Sequence, residues 1–327
     1  MKRIIALVLI LTLSLFCFAA CKKNKNNDEN NDNKTPVEND YKLAIGVALS
    51  QDGAKVSNTV AALVLDNNSK IVACRIDAID VEAALVAGKV DATKTYSSKA
   101  VLCKDGEYGM LTNSPYYGSS LAEWDAQAKA FETYVTGKTQ AEVNAIATNE
   151  EGKPTSADLT AGCTIAVTDF IKAVDNAFKS EKQVSFKSAS ALTLGVAVNA
   201  DVAQEEETEV ASYTADFAAT VFADGKVVAA IVDANQADST IAGEEFGAVE
   251  YKGTKLAQGD AYGMLTNSPY YGSSLAEWYS QAQAFANTAV GKTAAELAGL
   301  AIEGVAGCTM YAGGYKAALE LAASFAR

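Results

Sequence analysis

The sequence predicts an α+β fold in two tandem copies of one domain, each a largely antiparallel sheet with packed helices. Two observations predict it. Residues 108–124 read YGMLTNSPYYGSSLAEW, and residues 262–278 repeat all seventeen letters, so the chain carries an internal duplication. Ahead of each block lie apolar runs broken by turn residues, and after it lie segments of helical spacing, the order of strands followed by helices. The repeat length of roughly 150 residues is that of a domain, not of a solenoid unit. The expected division of the 327 residues is 1–21, 22–40, 41–187 and 188–327.

The first segment reads as an export signal. Lys2 and Arg3 are its charged start, residues 4–18 its apolar run, and Phe18-Ala-Ala-Cys21 its end. Small residues before a cysteine fit a lipoprotein cleavage site, with Cys21 as the lipidated residue. Residues 22–40 (KKNKNNDENNDNKTPVEND) hold almost nothing that could join a core and are expected to be disordered. Such a tether has a root-mean-square reach of roughly 25 Å and a stretched limit of roughly 65 Å. The expected location is the outer face of the cytoplasmic membrane, with the lipid as anchor.

Each copy then opens on strands. Residues 43–49 are apolar, and residues 59–65 and 70–76 flank the turn cluster Asp66-Asn-Asn-Ser, a hairpin signal. In the second copy, residues 216–222 and 226–232 flank Asp224-Gly225, a strong hairpin signal. Leu43-Ala-Ile-Gly46 lines up with Leu194-Gly195.

Helices follow. Ser120-x-x-Glu123 and Ser274-x-x-Glu277 read as capping boxes. Leu121, Trp124, Ala128, Phe131 and Val135 keep helical spacing, and Gly137 stops that helix. Thr139-x-x-Glu142 and Thr293-x-x-Glu296 cap a second short helix. A third helix buries Val167, Ile171, Val174 and Phe178 in one copy, and Tyr311, Tyr315, Ala318, Ala322 and Phe325 in the other.

Composition removes several classes of function. The net charge of -13 argues against nucleic acid. There is no histidine, which excludes histidine triads, histidine-ligated haem and most zinc enzymes. No CxxC pair occurs, which removes iron–sulfur clusters and attached c-type haem. Redox chemistry in this chain would need an organic cofactor. Cys74 and Cys103 occur only in the first copy, where a disulfide is optional.

Three motifs compete as sites. Gly137-Lys-Thr139 and Gly291-Lys-Thr293 look like the end of a phosphate-binding loop. Glu132 and Ala286 stand where that loop needs its earlier glycine, and a helix precedes instead of a strand. They read as a helix stop and a cap. Tyr116-Tyr117 and Tyr270-Tyr271 are either stacking platforms for a flat ligand or packing groups. The strongest candidate is Asp158-Leu-Thr-Ala-Gly162-Cys163-Thr164, with Glu303-Gly-Val-Ala-Gly307-Cys308-Thr309 as its copy. Small residues let the backbone approach a ligand, and a threonine opening a helix would present free N–H groups and the helix dipole to a phosphate. The plain alternative is a threonine cap after a glycine turn.

The acid-x-x-x-Gly-x-Thr spacing resembles the flavinylation motif of the FMN-binding domains of Rnf-type and sodium-pumping redox complexes. The whole chain is similar to the tandem FMN-binding surface lipoproteins of Gram-positive flavin-based extracellular electron transfer. The similarity rests on the lipidated start, the Asn/Lys-rich tether, and four motifs. These are Tyr108-Gly-Met110, Glu123-Trp-x-x-Gln127, Gly137-Lys-Thr139 and residues 158–165, with Tyr262-Gly-Met264, Glu277-Trp-x-x-Gln281, Gly291-Lys-Thr293 and residues 303–309 in the second copy.

The resemblance implies covalent FMN on Thr164 and Thr309, moved there from FAD by a flavin transferase as a phosphoester. Asp158 and Glu303 would serve the transferase or its magnesium, and Gly162 and Gly307 would supply the tight approach. Cys163 and Cys308 stand where the family has a small alanine or valine, Ala161 and Ala306 where it has serine or threonine, and Glu303 is longer than the usual aspartate. The implied function is an electron carrier without substrate turnover of its own. It would pass electrons from a membrane quinone or NADH-dehydrogenase donor to an extracellular acceptor such as ferric iron. A non-redox surface module for adhesion or ligand capture is the alternative from another class.

Overall fold

Strand β1 (Asn39–Asp52) turns at Gly53 into β2 (Lys55–Leu65), and β2 turns into β3 (Ile71–Glu82). In the second turn the Asp66 carboxylate accepts the Asn68 and Lys70 amides, an Asx turn that explains the DNNS cluster. The structure, a computed structural model, describes residues 38–113, 121–204, 208–267 and 275–327. A small hairpin, β4 (Leu85–Val86) with β5 (Lys89–Val90), precedes the helices of the first half. These are α1 (Lys99–Asp105), α2 (Trp124–Val135), α3 (Gln140–Asn144), α4 (Ala157–Thr160) and α5 (Thr168–Lys179). Strand β6 (Val184–Ser188) returns to pair antiparallel with β1, giving the sheet order β3-β2-β1-β6.

The second half runs in the same sense. Strands β7 (Leu192–Gln204), β8 (Val210–Ala223) and β9 (Lys226–Ala242) form an antiparallel sheet. Two short strands, β10 (Glu245–Phe246) and β11 (Glu250–Tyr251), both pair with β9. Then come α6 (Lys255–Gln258), α7 (Trp278–Asn287) and α8 (Gly313–Ser324), with 3-10 turns at Gly259–Tyr262 and Ala294–Gly299. Antiparallel sheets with separate helices make the architecture α+β, as the sequence predicts.

The two sheets stack face to face. Alternation along β1 sends Leu43, Ile45 and Val47 into a core shared with Leu194, Val196 and Val198 of β7. Ala44 and Ala48 point the other way, into a second core with Ala173, Val174 and Ala177 of α5. The described residues from 38 to 327 thus form one compact unit. Buried polar groups stitch the sheets together: the Asn235 amide donates to Asn58 Oδ1 (2.6 Å), and the Tyr213 hydroxyl donates to the Ala54 carbonyl (3.0 Å).

The aligned glycines Gly46 and Gly195 sit at matching contacts. A Cβ on Gly46 would collide with the backbone of Ala173 and Ala177, and one on Gly195 with the backbone of Ala322. Each glycine lets the closing helix of its half lie directly on a strand.

Several expectations shift. The strands extend well past the apolar runs, β3 to Glu82 and β9 to Ala242, because buried polar residues continue them. Asn39 and Asp40, expected in the tether, belong to β1 and pair with Ser188 and Lys187. Helix α2 begins at Trp124 with Glu123 as its N-cap, and Leu121 is exposed ahead of it. Helix α8 begins at Gly313, which leaves Tyr311 outside it and exposed. Cys74 and Cys103 are free thiols. Cys21, Ser120, Ser274, Tyr116, Tyr117, Tyr270 and Tyr271 lie outside the described residues.

Candidate functional site

Three motifs far apart in sequence meet around each candidate threonine. Gln127, fully buried in the first turn of α2, accepts both the Thr164 amide (2.8 Å) and the Thr164 hydroxyl (3.1 Å) on one oxygen. Its NH2 group donates to the Ala122 carbonyl (2.8 Å) and points at Met110 Sδ (3.7 Å). Gln281, also fully buried, repeats this with Thr309 (2.8 and 2.9 Å), Ala276 (2.8 Å) and Met264 Sδ (3.4 Å).

Glutamate closes the arrangement. The Glu123 carboxylate accepts the Met110 and Leu111 amides (2.8 and 2.9 Å), and Glu277 accepts those of Met264 and Leu265 (2.8 and 3.1 Å). These side chains were expected to complete capping boxes at their own helices. They hold the Tyr-Gly-Met-Leu segment against the helix start, where a loop amide pair needs an acceptor; their expected partners Ser120 and Ser274 lie outside the described residues. Capping boxes close at Thr139 with Glu142 and at Thr293 with Glu296, each at 2.8 Å.

The threonines do not open helices. Helix α5 starts at Thr168 and α8 at Gly313, four residues beyond each threonine. The amide expected to bind phosphate donates to glutamine, and the threonine stands outside the reach of the helix dipole. The glycines, expected to let a ligand approach, make a packing contact with a helix. A Cβ on Gly162 would lie 2.7 Å from Ala130 Cβ, and one on Gly307 would lie 3.1 Å from Ala284 Cβ. They let the threonine loop lie against the helix that carries the glutamine.

In the first half the threonine faces a cleft of about 320 Å³. Its wall includes Lys99, Tyr108, Trp124, Lys153, Asp169 and Phe170. Lys99 Nζ stands 5.9 Å from both the Tyr108 and Trp124 ring centres and pairs with Asp80 (3.1 Å). Lys255 holds the same place in the second half, 5.3 Å from Tyr262 and 5.6 Å from Trp278. Trp124 meets Phe170 edge-on, and Trp278 meets Tyr315 likewise.

The halves differ in where the acid sits. Thr59 opposes Ala78 in the first sheet, and Asp216 opposes Ala234 in the second. Asp169 of α5 lines the first cleft, whereas a Cβ on its counterpart Gly314 would collide with the Asp216 carboxylate. Burial pushes the Asp216 carboxyl up to about 6, against the opposing pull of Lys255.

Other site residues fall outside this cluster. Asp158 is exposed on α4, away from the cleft wall, and Glu303 is exposed in a loop. Cys163 is fully buried in the core, its thiol pushed up to about 11 by burial. Cys308 is buried too, raised by the same cause, and donates to the Met310 carbonyl (3.6 Å). Both are apolar fillers, not reactive thiols. The Gly-Lys-Thr motifs stop α2 and α7 with a left-handed glycine and then pair with a strand start. Gly137 N–H donates to Ile71 O (2.7 Å), and Gly291 N–H donates to Val227 O (2.8 Å).

Sequence reasoning missed Lys99 and Lys255, and a buried aspartate beside each. Asp77 Oδ1 accepts the Ala78 and Ala100 amides (2.8 and 3.1 Å), and Asp233 Oδ1 accepts those of Ala234 and Leu256 (2.7 and 3.0 Å). Each ties the start of a lysine-bearing helix to the sheet. Burial raises Asp77 to about 6 and Asp233 to about 7, opposed by these hydrogen bonds. The available signal was Ser98-Lys99 and Thr254-Lys255 standing at matching places ahead of the identical blocks.

No protein-family profile, curated protein or solved structure matches the chain.

Proposed function

We propose that the chain consists of two copies of one module, each carrying FMN on a threonine, Thr164 in the first and Thr309 in the second. The observation that carries this reading is the convergence, twice over, of three motifs: the glutamine of Glu-Trp-x-x-Gln accepts the threonine hydroxyl of Ala-Gly-Cys-Thr, and its glutamate holds Tyr-Gly-Met beside them. Packing alone needs no such triple agreement around a half-buried or exposed hydroxyl.

The residues present fit the group. The glycine two residues before each threonine seats the threonine loop against the helix that carries the glutamine, which sets the hydroxyl at the protein surface. Thr164 opens on a cleft with two lysines for phosphate and three aromatic rings for a flat ring system. Lys255, Tyr262, Trp278 and Tyr315 would do the same beside Thr309. Gln127 and Gln281 accept the hydroxyl proton of the threonine, which turns the Oγ1 lone pairs away from the helix and toward an incoming phosphorus. Attachment from FAD forms the Oγ1–P bond, breaks the pyrophosphate P–O bond, releases AMP and sheds the hydroxyl proton. Once bound, the flavin supplies one- and two-electron chemistry, and the protein supplies position and tuning.

The module pair would act as an electron carrier held at the outer face of the membrane through Cys21. Its partners would be a flavin transferase, a quinone or NADH-dehydrogenase donor, and an acceptor such as ferric iron. Thr164→Val and Thr309→Val test the reading. Each should remove one flavin from protein made with the transferase and FAD, and the double variant should be colourless. Flavin that persists in the double variant would overturn it.

A further inference from the structure

The two halves reveal which positions tolerate change, because they are two solutions to one packing problem. Aligned on their first residues, α5 and α8 share only Ala173/Ala318 and Ala177/Ala322. Three of these four are the residues that meet the strand glycines Gly46 and Gly195. Aligned on their tryptophans, α2 and α7 share Trp124/Trp278, Gln127/Gln281, Ala128/Ala282, Ala130/Ala284 and Phe131/Phe285. All are buried except the alanine pair, which meets Gly162 and Gly307. The exposed positions Ala126, Lys129 and Thr133 have become Ser280, Gln283 and Asn287. In these helices every shared residue makes a packing contact and the exposed positions differ, although some buried pairs, Glu132/Ala286 among them, differ as well.

The identical block breaks that rule. Leu111, Thr112 and Asn113 are exposed, as are Leu265, Thr266 and Asn267, yet the triplets are the same. Leu121 and Leu275 match too. These four leucines are between 45 and 53% exposed and rank among the large exposed hydrophobic residues of the chain. A leucine left half in water twice, at the same place, is not explained by the core.

We propose that Leu111 with Leu121, and Leu265 with Leu275, are the docking surface for the enzyme that modifies the neighbouring threonine. The proposal rests on the flavin reading above. Hydrogen bonds fix the Leu111 side of the surface to its threonine: Leu111 and Met110 through Glu123, Met110 and Thr164 through Gln127. The second half uses Glu277 and Gln281 identically. A partner seated on the leucines therefore meets the hydroxyl in the same frame at both sites. Electron transfer tolerates a range of approaches, whereas phosphoryl transfer needs the reacting atoms in contact and aligned. That requirement favours the transferase over a redox partner as the reason for the identity. The acceptor loops themselves share only the acid and Ala-Gly-Cys-Thr, so recognition through them alone would read two different sequences.

The chain supplies its own control. Leu111→Asp with Leu121→Asp, and separately Leu265→Asp with Leu275→Asp, are incubated with flavin transferase and FAD. Loading at each threonine is followed in time by peptide mass. The first pair should slow loading at Thr164 by about tenfold or more and leave Thr309 unchanged, and the second pair should do the reverse. Normal loading of the untouched site in the same chain certifies the fold. Wild-type rates at both sites in both variants would overturn the docking surface while leaving the flavin reading intact. Failure of the wild-type chain to load at all would remove the flavin reading, and the docking surface with it.

Discussion

Gln127 and Gln281 perform with one amide oxygen the task first assigned to a helix N-terminus: they fix a threonine backbone and hydroxyl together. Asp77 and Asp233 act at the same scale and carry a pH dependence. Their carboxyls titrate near 6 and 7 in the folded chain, above the unfolded value. The folded state therefore binds their protons more tightly than the unfolded state. Their contribution is fully present below about pH 4 and is lost as pH rises through about 6 to 7. The lowered carboxyls, among them Glu142 and Glu296, titrate below that window. Urea unfolding should accordingly show lower stability at about pH 8 than at about pH 5. Asp77→Asn with Asp233→Asn should flatten that slope; a slope unchanged in the double variant would assign it elsewhere.

At the scale of elements, the strand glycine and the closing helix form the repeated unit of packing. Gly46→Ala or Gly195→Ala would drive a methyl group into helix backbone. Each should cost about 1–3 kcal/mol in denaturant unfolding, although alanine in place of an unhindered strand glycine would stabilise by roughly 0.5–1 kcal/mol. The elements were legible wherever pattern and packing agree. The β2–β3 turn, the Asp224-Gly225 hairpin and the Thr139 and Thr293 capping boxes stand where the residues place them. The outer ends of β3 and β9 were hidden, since Asp77, Asp233 and Asn235 look like loop residues until their buried partners are known. The start of α2 was misread because Glu123 spends its carboxylate on a distant loop, a choice that local sequence does not encode. At the candidate site, threonine, glycine and the acid were visible as spacing. The glutamine and methionine stood in the Glu-Trp-x-x-Gln and Tyr-Gly-Met motifs, but their contact with the threonine, and the lysine beside it, appear only when the segments fold together.

At the scale of the whole molecule, a buried charge cluster joins the halves, and among the described residues it has no counterpart. Glu132 of α2 pairs with Arg75 (2.7 Å) and Arg327 (3.0 Å), while Arg75 Nε donates to the Leu194 carbonyl (2.8 Å). Glu132 is the residue that rules out a phosphate-binding loop here, and Ala286 stands at its position in the second half. Removing one member strands a buried guanidinium, so Glu132→Leu should cost about 3–5 kcal/mol in unfolding. Arg75→Met together with Glu132→Leu should recover much of that loss. Equal loss in the single and double variants would contradict the pairing.

The central claim is that two threonines, one per half, each bear a flavin. Its most direct test is the intact mass of the chain after incubation with a flavin transferase and FAD, followed by peptide mapping. The account predicts a gain of two FMN units, one on the peptide holding Thr164 and one on the peptide holding Thr309. No gain, or a gain on any other residue, would contradict it.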